Sequence, residues 1–83
     1  MSNGIKIKIK YFAALREKAG LSSEEVETAA KSPRELYKEL VSRFEFSLSE
    51  NQIRVAINDE YKCLDTPLSG GDSVTFIPPV AGG

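Results

Sequence analysis

A mixed α+β fold, about five strands in one sheet with one main helix across one face, is what this 83-residue chain predicts, and three observations carry it. Apolar residues alternate with polar ones near both ends and again after residue 52. One segment between them repeats with the period of an amphipathic helix. Gly, Pro, Asn and Asp gather at the joins. A sheet with one apolar face and a helix with one apolar stripe account for every such pattern in the chain.

The first segment, Ile5-Lys6-Ile7-Lys8-Ile9-Lys10-Tyr11-Phe12, alternates throughout. Ile5, Ile7, Ile9 and Tyr11 form its core side, and Lys6, Lys8, Lys10 and Phe12 the other. The lysines read as a solvated sheet face that discourages edge pairing; an acidic partner is the alternative. Ala13 to Ala19 holds good helix formers and stops at Gly20. Glu24 to Thr28 reads as a polar edge strand paired with the first, although an acidic helix also fits its composition.

Ser32-Pro33-Arg34-Glu35 starts the main helix. Ser32 is placed to cap it, Pro33 takes the first helical position, and Glu35 completes a capping box. Leu36, Tyr37, Leu40, Val41 and Phe44 then make one stripe, so the helix runs from Pro33 to about Phe44. Phe46 and Leu48 pack as the chain leaves it. Ile53, Val55 and Ile57 alternate as a third strand. Asn58-Asp59-Glu60 is turn chemistry, and Tyr61 to Leu64 returns as a short strand. After the turn-rich Thr66 to Asp72, the last strand spans Ser73 to Ile77, with Val74 and Phe76 inward and Ser73, Thr75 and Ile77 outward. Pro78 and Pro79 end it, because neither can donate to a ladder. Leu36, Leu40, Val41 and Phe44 are expected to be buried with Ile7, Ile9, Val55, Ile57, Val74 and Phe76. This order is that of a ubiquitin-like β-grasp, with the first and last strands as parallel central neighbours. The domain is expected over 1–77, with 78–83 as a flexible Gly-Gly tail.

Composition narrows the function. A net charge of −1 gives no argument for nucleic acid. No apolar run approaches the ~20 residues of a membrane span, and Met1-Ser2-Asn3-Gly4 is not a signal peptide. A single cysteine, Cys63, excludes an internal disulfide and suits a reducing, cytoplasmic setting. The chain has no histidine, hence neither the commonest general base nor the commonest metal ligand. It is poorly equipped to be an enzyme alone, and neither a metal site nor a bound cofactor is expected. Cys63 reads as a packed side chain, with nothing nearby in sequence to depress its pKa. Gly70-Gly71 lacks the spacing of a phosphate loop. Glu24/Glu25 and Asp59/Glu60 read as edge and turn residues in polar surroundings, unsuited to general acid–base work.

The chemistry is expected at the end of the chain. Phe76-Ile77-Pro78-Pro79-Val80-Ala81-Gly82-Gly83 passes from a strand, through a stiff Pro-Pro, into small residues. Glycines let a backbone enter a channel where a Cβ would clash, so the Gly83 carboxylate is the candidate reacting group, worked on by another protein. Parity adds a second feature. Phe12 and Ile77 both point away from the helix-covered face, and Tyr61 lies just past a hairpin turn. Either these three residues form an exposed apolar patch beside the tail, or Phe12 or Ile77 merely packs under a loop.

From Gly4 onward the chain resembles the small subunit of molybdopterin synthase, the MoaD-type sulfur carriers. The resemblance rests on Phe12-Ala13-Ala14-Leu15-Arg16-Glu17, the Asn58 hairpin, Leu68-x-x-Gly71-Asp72-x-Val74 and the ending from Phe76 to Gly83. Ser73 departs from the glutamate frequent in that family, and the N-terminal lead is slightly longer. The resemblance implies that an adenylating enzyme related to ubiquitin-activating enzymes uses ATP to convert the Gly83 carboxylate into an acyl-adenylate. Sulfur from a donor replaces the nucleotide and leaves a C-terminal thiocarboxylate. The large synthase subunit, in an assembly of two small and two large chains, receives Pro78, Pro79, Val80, Ala81, Gly82 and Gly83 in its active site. There sulfur passes to cyclic pyranopterin monophosphate to build the dithiolene of molybdopterin. Phe12, Tyr61 and Ile77 would be the docking patch. Three alternatives remain at this point: a carrier for thiamin synthesis or tRNA thiolation, against which Pro78-Pro79 argues; a ubiquitin-like modifier joined through Gly83 to lysines; and an interaction domain with an inert tail.

Overall fold

Alternation at Ile5-Lys6-Ile7-Lys8-Ile9 produces the first strand, β1 (Ile5–Tyr11). A computed structural model describes residues 4–79 of the chain. After β1 come α1 (Ala13–Ala19), β2 (Ser23–Thr28), α2 (Pro33–Phe44), a 3-10 turn (Glu50–Gln52), β3 (Arg54–Ile57), β4 (Glu60–Lys62) and β5 (Ser73–Ile77). The five strands form one sheet in the order β2-β1-β5-β3-β4. β1 and β5 run parallel, and the remaining pairs are antiparallel. The expected β-grasp arrangement, with first and last strands as inner parallel neighbours, is the observed one. β2 is the edge strand beside β1, so the strand reading of Glu24 to Thr28 holds and the helical alternative does not.

Local chemistry sets the helix ends. Ser32 Oγ accepts the Glu35 amide at 3.3 Å, and Glu35 Oε1 reaches back to the Lys31 amide at 3.1 Å, so two of the first-turn region's donors are satisfied by side chains. Arg34 ties this end down: its Nε donates to Asp65 Oδ1 at 2.8 Å and its Nη1 pairs with Glu50. That guanidinium holds the exposed Asp65 carboxyl below its usual range. At the other end of the chain's first helix, Gly20 takes a φ of 80° and its amide bonds to the Arg16 carbonyl, a left-handed stop that glycine adopts without strain.

The core lies between α2 and the sheet. Ile7, Ile9, Tyr11, Leu36, Tyr37, Leu40, Val55, Val74 and Phe76 are buried in it. At one end the rings interlock. Tyr11 meets Phe44 edge-on at 5.8 Å between centroids, and Tyr37 stacks on Phe46 at 5.9 Å and tilts against Phe76 at 5.4 Å. Burial pushes the Tyr37 phenol pKa up, and its hydroxyl donates to the Leu48 carbonyl at 2.8 Å.

Three details differ from expectation. Val41 and Phe44 are half-buried rather than buried, because they sit in the last turn of α2 at the rim of the core, where Phe44 packs against Tyr11 and Phe46 and under the Arg43 guanidinium. β4 is Glu60–Lys62, shorter than Tyr61 to Leu64, since pairing with β3 stops at the Val55–Lys62 rung. Thr75, on the face away from α2, is nonetheless 8% exposed, because its strand is the middle one of the five.

Candidate functional site

The parallel ladder of β1 and β5 pairs Ile9 with Val74, Lys10 with Thr75 and Tyr11 with Phe76. Alternation then fixes the next residue on each strand. Tyr11 and Phe76 enter the core, so Phe12 and Ile77 emerge together on the opposite face. Phe12 is 50% exposed and Ile77 is half-buried. Tyr61 joins them from β4 and is 72% exposed. Its hairpin turns at Asn58 and Asp59, with φ of 53° and 71°, the two positive values that a tight two-residue turn between twisted strands requires. Asn58 also locks that turn to the start of β5: its Nδ2 donates to Asp72 Oδ1 at 3.1 Å, and its Oδ1 accepts the Ser73 amide at 3.0 Å.

Ile77 is the hub of the surface. A groove of about 570 Å³ is lined by Phe12, Ala13, Ala14, Leu48, Ile77, Pro78 and Pro79. A second depression of about 560 Å³ includes Ile53, Arg54, Tyr61, Ile77, Pro78 and Pro79. A third, of about 220 Å³ on the open sheet face, includes Lys10, Phe12, Ala56, Tyr61 and Ile77. The chain therefore leaves the sheet at Pro78-Pro79 between two hollows and beside an apolar patch. The sequence-predicted trio of Phe12, Tyr61 and Ile77 is brought together at one depression, with Phe12 half exposed rather than packed under a loop.

One backbone feature shapes the groove. Ala13, which follows Phe12, has a φ of 51°. Left-handed backbone is uncommon for a residue with a Cβ. Here it turns the chain directly from β1 into α1. The Phe12 carbonyl accepts the Leu15 amide at 3.0 Å and the Arg16 amide at 3.3 Å, while Leu15 is buried beneath. Phe12 is thus the last extended residue, held at the sheet end. Sequence pattern did not single out Ala13, Ala14 or Leu48 as site residues; the small pair after Phe12 was the signal that could have.

Below the patch, the Tyr11 hydroxyl donates to Glu24 Oε2 at 2.6 Å, and Arg43 grips the same carboxylate from α2 at 2.9 and 3.1 Å. Burial, then the bond to Glu24, raises the Tyr11 phenol pKa well above its ordinary value. Glu24 is therefore held between Tyr11 and Arg43 on the α2 side of the edge strand rather than solvated, with a side chain only 16% exposed.

Cys63 corrects an expectation: it is exposed, not packed. It follows β4, a short edge strand whose three residues are all exposed, so no neighbouring strand or helix covers it. It lines none of the three depressions. Val80, Ala81, Gly82 and Gly83 lie outside the described residues, and so does the expectation of a flexible tail there. Among the described residues no helix is long and apolar enough to cross a membrane.

Fold and site define a class: a ubiquitin-like β-grasp protein whose last strand, central in the sheet, delivers the chain past an apolar patch. The chain belongs to the ThiS family, whose model matches residues 9–83. It is 32% identical to the molybdopterin synthase sulfur carrier subunit of Escherichia coli (strain K12), over 93% of this chain and 99% of that one. The putative molybdopterin converting factor, subunit 1, of Pyrococcus furiosus is similar in structure, with a TM-score of 0.75 at 34% identity over 92% of this chain and 99% of that one. A chain in the complex of subunits 1 and 2 of the molybdopterin-converting factor from Helicobacter pylori 26695 superimposes with a TM-score of 0.63, at 26% identity over 95% of this chain and 100% of that one. These relatives agree with the resemblance read from the sequence.

Proposed function

We propose that this chain is the sulfur-carrier small subunit of a molybdopterin synthase, and that the Gly83 carboxyl group carries the sulfur. The observation that carries this reading is the placement of Phe12, Tyr61 and Ile77 around the root of the tail, in a chain related to sulfur carrier subunits over nearly its full length. A carboxylate is a poor electrophile until it is activated. The activating enzyme joins the Gly83 carboxylate to the α-phosphate of ATP, releasing pyrophosphate. Hydrosulfide supplied by a donor attacks the acyl-adenylate carbonyl, forming the C–S bond as the C–O bond to AMP breaks, and leaves the thiocarboxylate and AMP. Its sulfur then forms a C–S bond to the cyclic pyranopterin monophosphate within the large subunit, displacing an oxygen substituent and giving a thioester. Hydrolysis of the thioester leaves the sulfur on the pterin and returns the Gly83 carboxylate, and a second loaded carrier supplies the second sulfur of the dithiolene. The chain contributes no acid, base or metal to these steps. It contributes position: the patch docks, and Pro78-Pro79, which cannot donate to a ladder, ends the sheet beside it.

The test is reconstitution. The chain, purified with its activating enzyme, a sulfur donor, ATP and the large subunit, should gain the mass of sulfur replacing one oxygen at its C-terminus, and should lose it as molybdopterin forms. An unmodified mass after complete reaction overturns the reading. A ladder of conjugates to lysines, in place of sulfur transfer, identifies a modifier instead.

A further inference from the structure

Lys6 and Lys8 each face a glutamate across the β1–β2 ladder, Glu27 and Glu25 respectively. Lys10 faces Ser23 on that side and Thr75 on β5. It is half-buried where Lys6 and Lys8 are exposed, and it shares a depression with Phe12, Tyr61 and Ile77. On the other side of Ile77 lies Arg54, its partner in the β3–β5 register, beside Tyr61 and Pro78. Among the described residues neither Lys10 nor Arg54 has a side-chain hydrogen bond or an ion pair. Asp59 borders the Lys10 depression but does not pair with it. The apolar patch is therefore bracketed by two cations that no side chain among the described residues pairs with.

A protein that covers the patch takes water away from both cations. A desolvated charge without a partner is costly, and complementary charge at the edge of an interface speeds encounter and rejects wrong partners. We propose that the large-subunit surface that covers this patch is apolar at its centre and presents carboxylates at two edge positions, one to the Lys10 ammonium and one to the Arg54 guanidinium. The two cations then select the cognate large subunit among proteins that offer only an apolar face. This inference rests on the reading that Phe12, Tyr61 and Ile77 dock the large subunit.

The experiment measures association of the full chain with the large subunit encoded in the same genome, at several salt concentrations. Lys10→Ala and Arg54→Ala should each weaken binding about 5-fold, mostly through the association rate, and should flatten its salt dependence. Lys10→Glu should weaken it about 20-fold or more. Lys6→Ala, with the same change of net charge on the same sheet face but opposite Glu27, should bind as the parent does. Each variant's melting curve shows that the fold is kept. If Phe12→Ala disrupts binding while Lys10→Ala and Arg54→Ala bind normally, the acidic-edge proposal is wrong and the docking patch stands. If Lys6→Ala weakens binding as much as Lys10→Ala, the effect belongs to net charge and the proposal is wrong. If neither Phe12→Ala nor Lys10→Ala changes binding, the patch reading fails, and this inference with it.

Discussion

Tyr11 lies opposite Phe76 across the parallel rung of β1 and β5, and this one register decides where the candidate site is. With both rings in the core, the following residues, Phe12 and Ile77, must share the other face at the same sheet end. A slip of one residue would exchange the faces, sending Phe12 or Ile77 inward and a core ring outward. The register that buries these two rings is also what places the apolar patch.

The core that supports this register should be sensitive to truncation at Leu40, which is 2% exposed on the sheet-facing side of α2. Leu40→Ala should cost about 2–5 kcal/mol in denaturant unfolding. That is a large share of the roughly 5–15 kcal/mol that a domain has in total. A loss below about 1 kcal/mol would mean that Leu40 is not the packed core residue described here.

Ile77 borders all three depressions, so it is the single position whose change should disturb every contact at the patch. Ile77→Lys should weaken binding of both the activating enzyme and the large subunit by about 10-fold or more. The isolated fold should survive, because Ile77 is only half-buried and faces away from α2. Normal binding of either partner, measured by calorimetry, would show that the two do not share the patch.

Ala13 offers a test of backbone rather than side chain. Its left-handed φ of 51° favours glycine. Ala13→Gly should stabilise the protein by about 0.5–1 kcal/mol and leave large-subunit binding intact. Ala13→Val sets a β-branched residue in that conformation and should both destabilise the chain and weaken docking, by shifting Phe12. A glycine variant less stable than the parent would contradict the strained turn.

The raised pKa of Tyr11 has a pH consequence. Its folded pKa lies above the ordinary ~10 of an unfolded tyrosine because the phenol is buried and bonded to Glu24. Folding therefore favours the protonated form. The corresponding stability is fully present below about pH 10 and is lost as pH rises from there toward the folded pKa. Tyr11→Phe should be about 1–3 kcal/mol less stable at pH 7, having lost a bond to a charged group. Its stability should fall less steeply than the parent's above about pH 10. Parallel profiles for the two proteins would rule out Tyr11 as the cause.

Local signals gave up most of this architecture. The Ser32-Pro33-Arg34-Glu35 start fixes α2 because capping depends only on neighbours in sequence, and alternation fixes β1 because its faces differ sharply. The trio of Phe12, Tyr61 and Ile77 followed from parity once the strands were placed. Cys63 was misjudged because cysteine's general preference for the interior says nothing about a position just past an exposed edge strand. The turn at Ala13 was invisible for another reason. Alanine carries no turn signal, and the left-handed conformation is imposed by Leu15 entering the core while Phe12 stays in register. Lys10 looked like its neighbours Lys6 and Lys8 until strand register showed that no glutamate lies across from it.

The last prediction concerns the reacting group. If Gly83 carries the sulfur, removing it leaves a carboxyl one residue short of the partner's reactive centre. Misplacement by about 1 Å already costs on the order of 100-fold in rate, and one residue is ~3.3 Å of extended chain. The chain lacking Gly83 should therefore fail in sulfur transfer by at least that factor while binding the large subunit through the unaltered Phe12, Tyr61 and Ile77. Gly82→Val should bind equally well and be activated poorly, because a branched side chain must pass where glycine passes freely. The readouts are paired: affinity by calorimetry, and thiocarboxylate and molybdopterin formation in the reconstituted system. Loss of both binding and transfer would place the docking energy in the tail rather than the patch. Normal transfer without Gly83 would remove the carrier function from this terminus altogether.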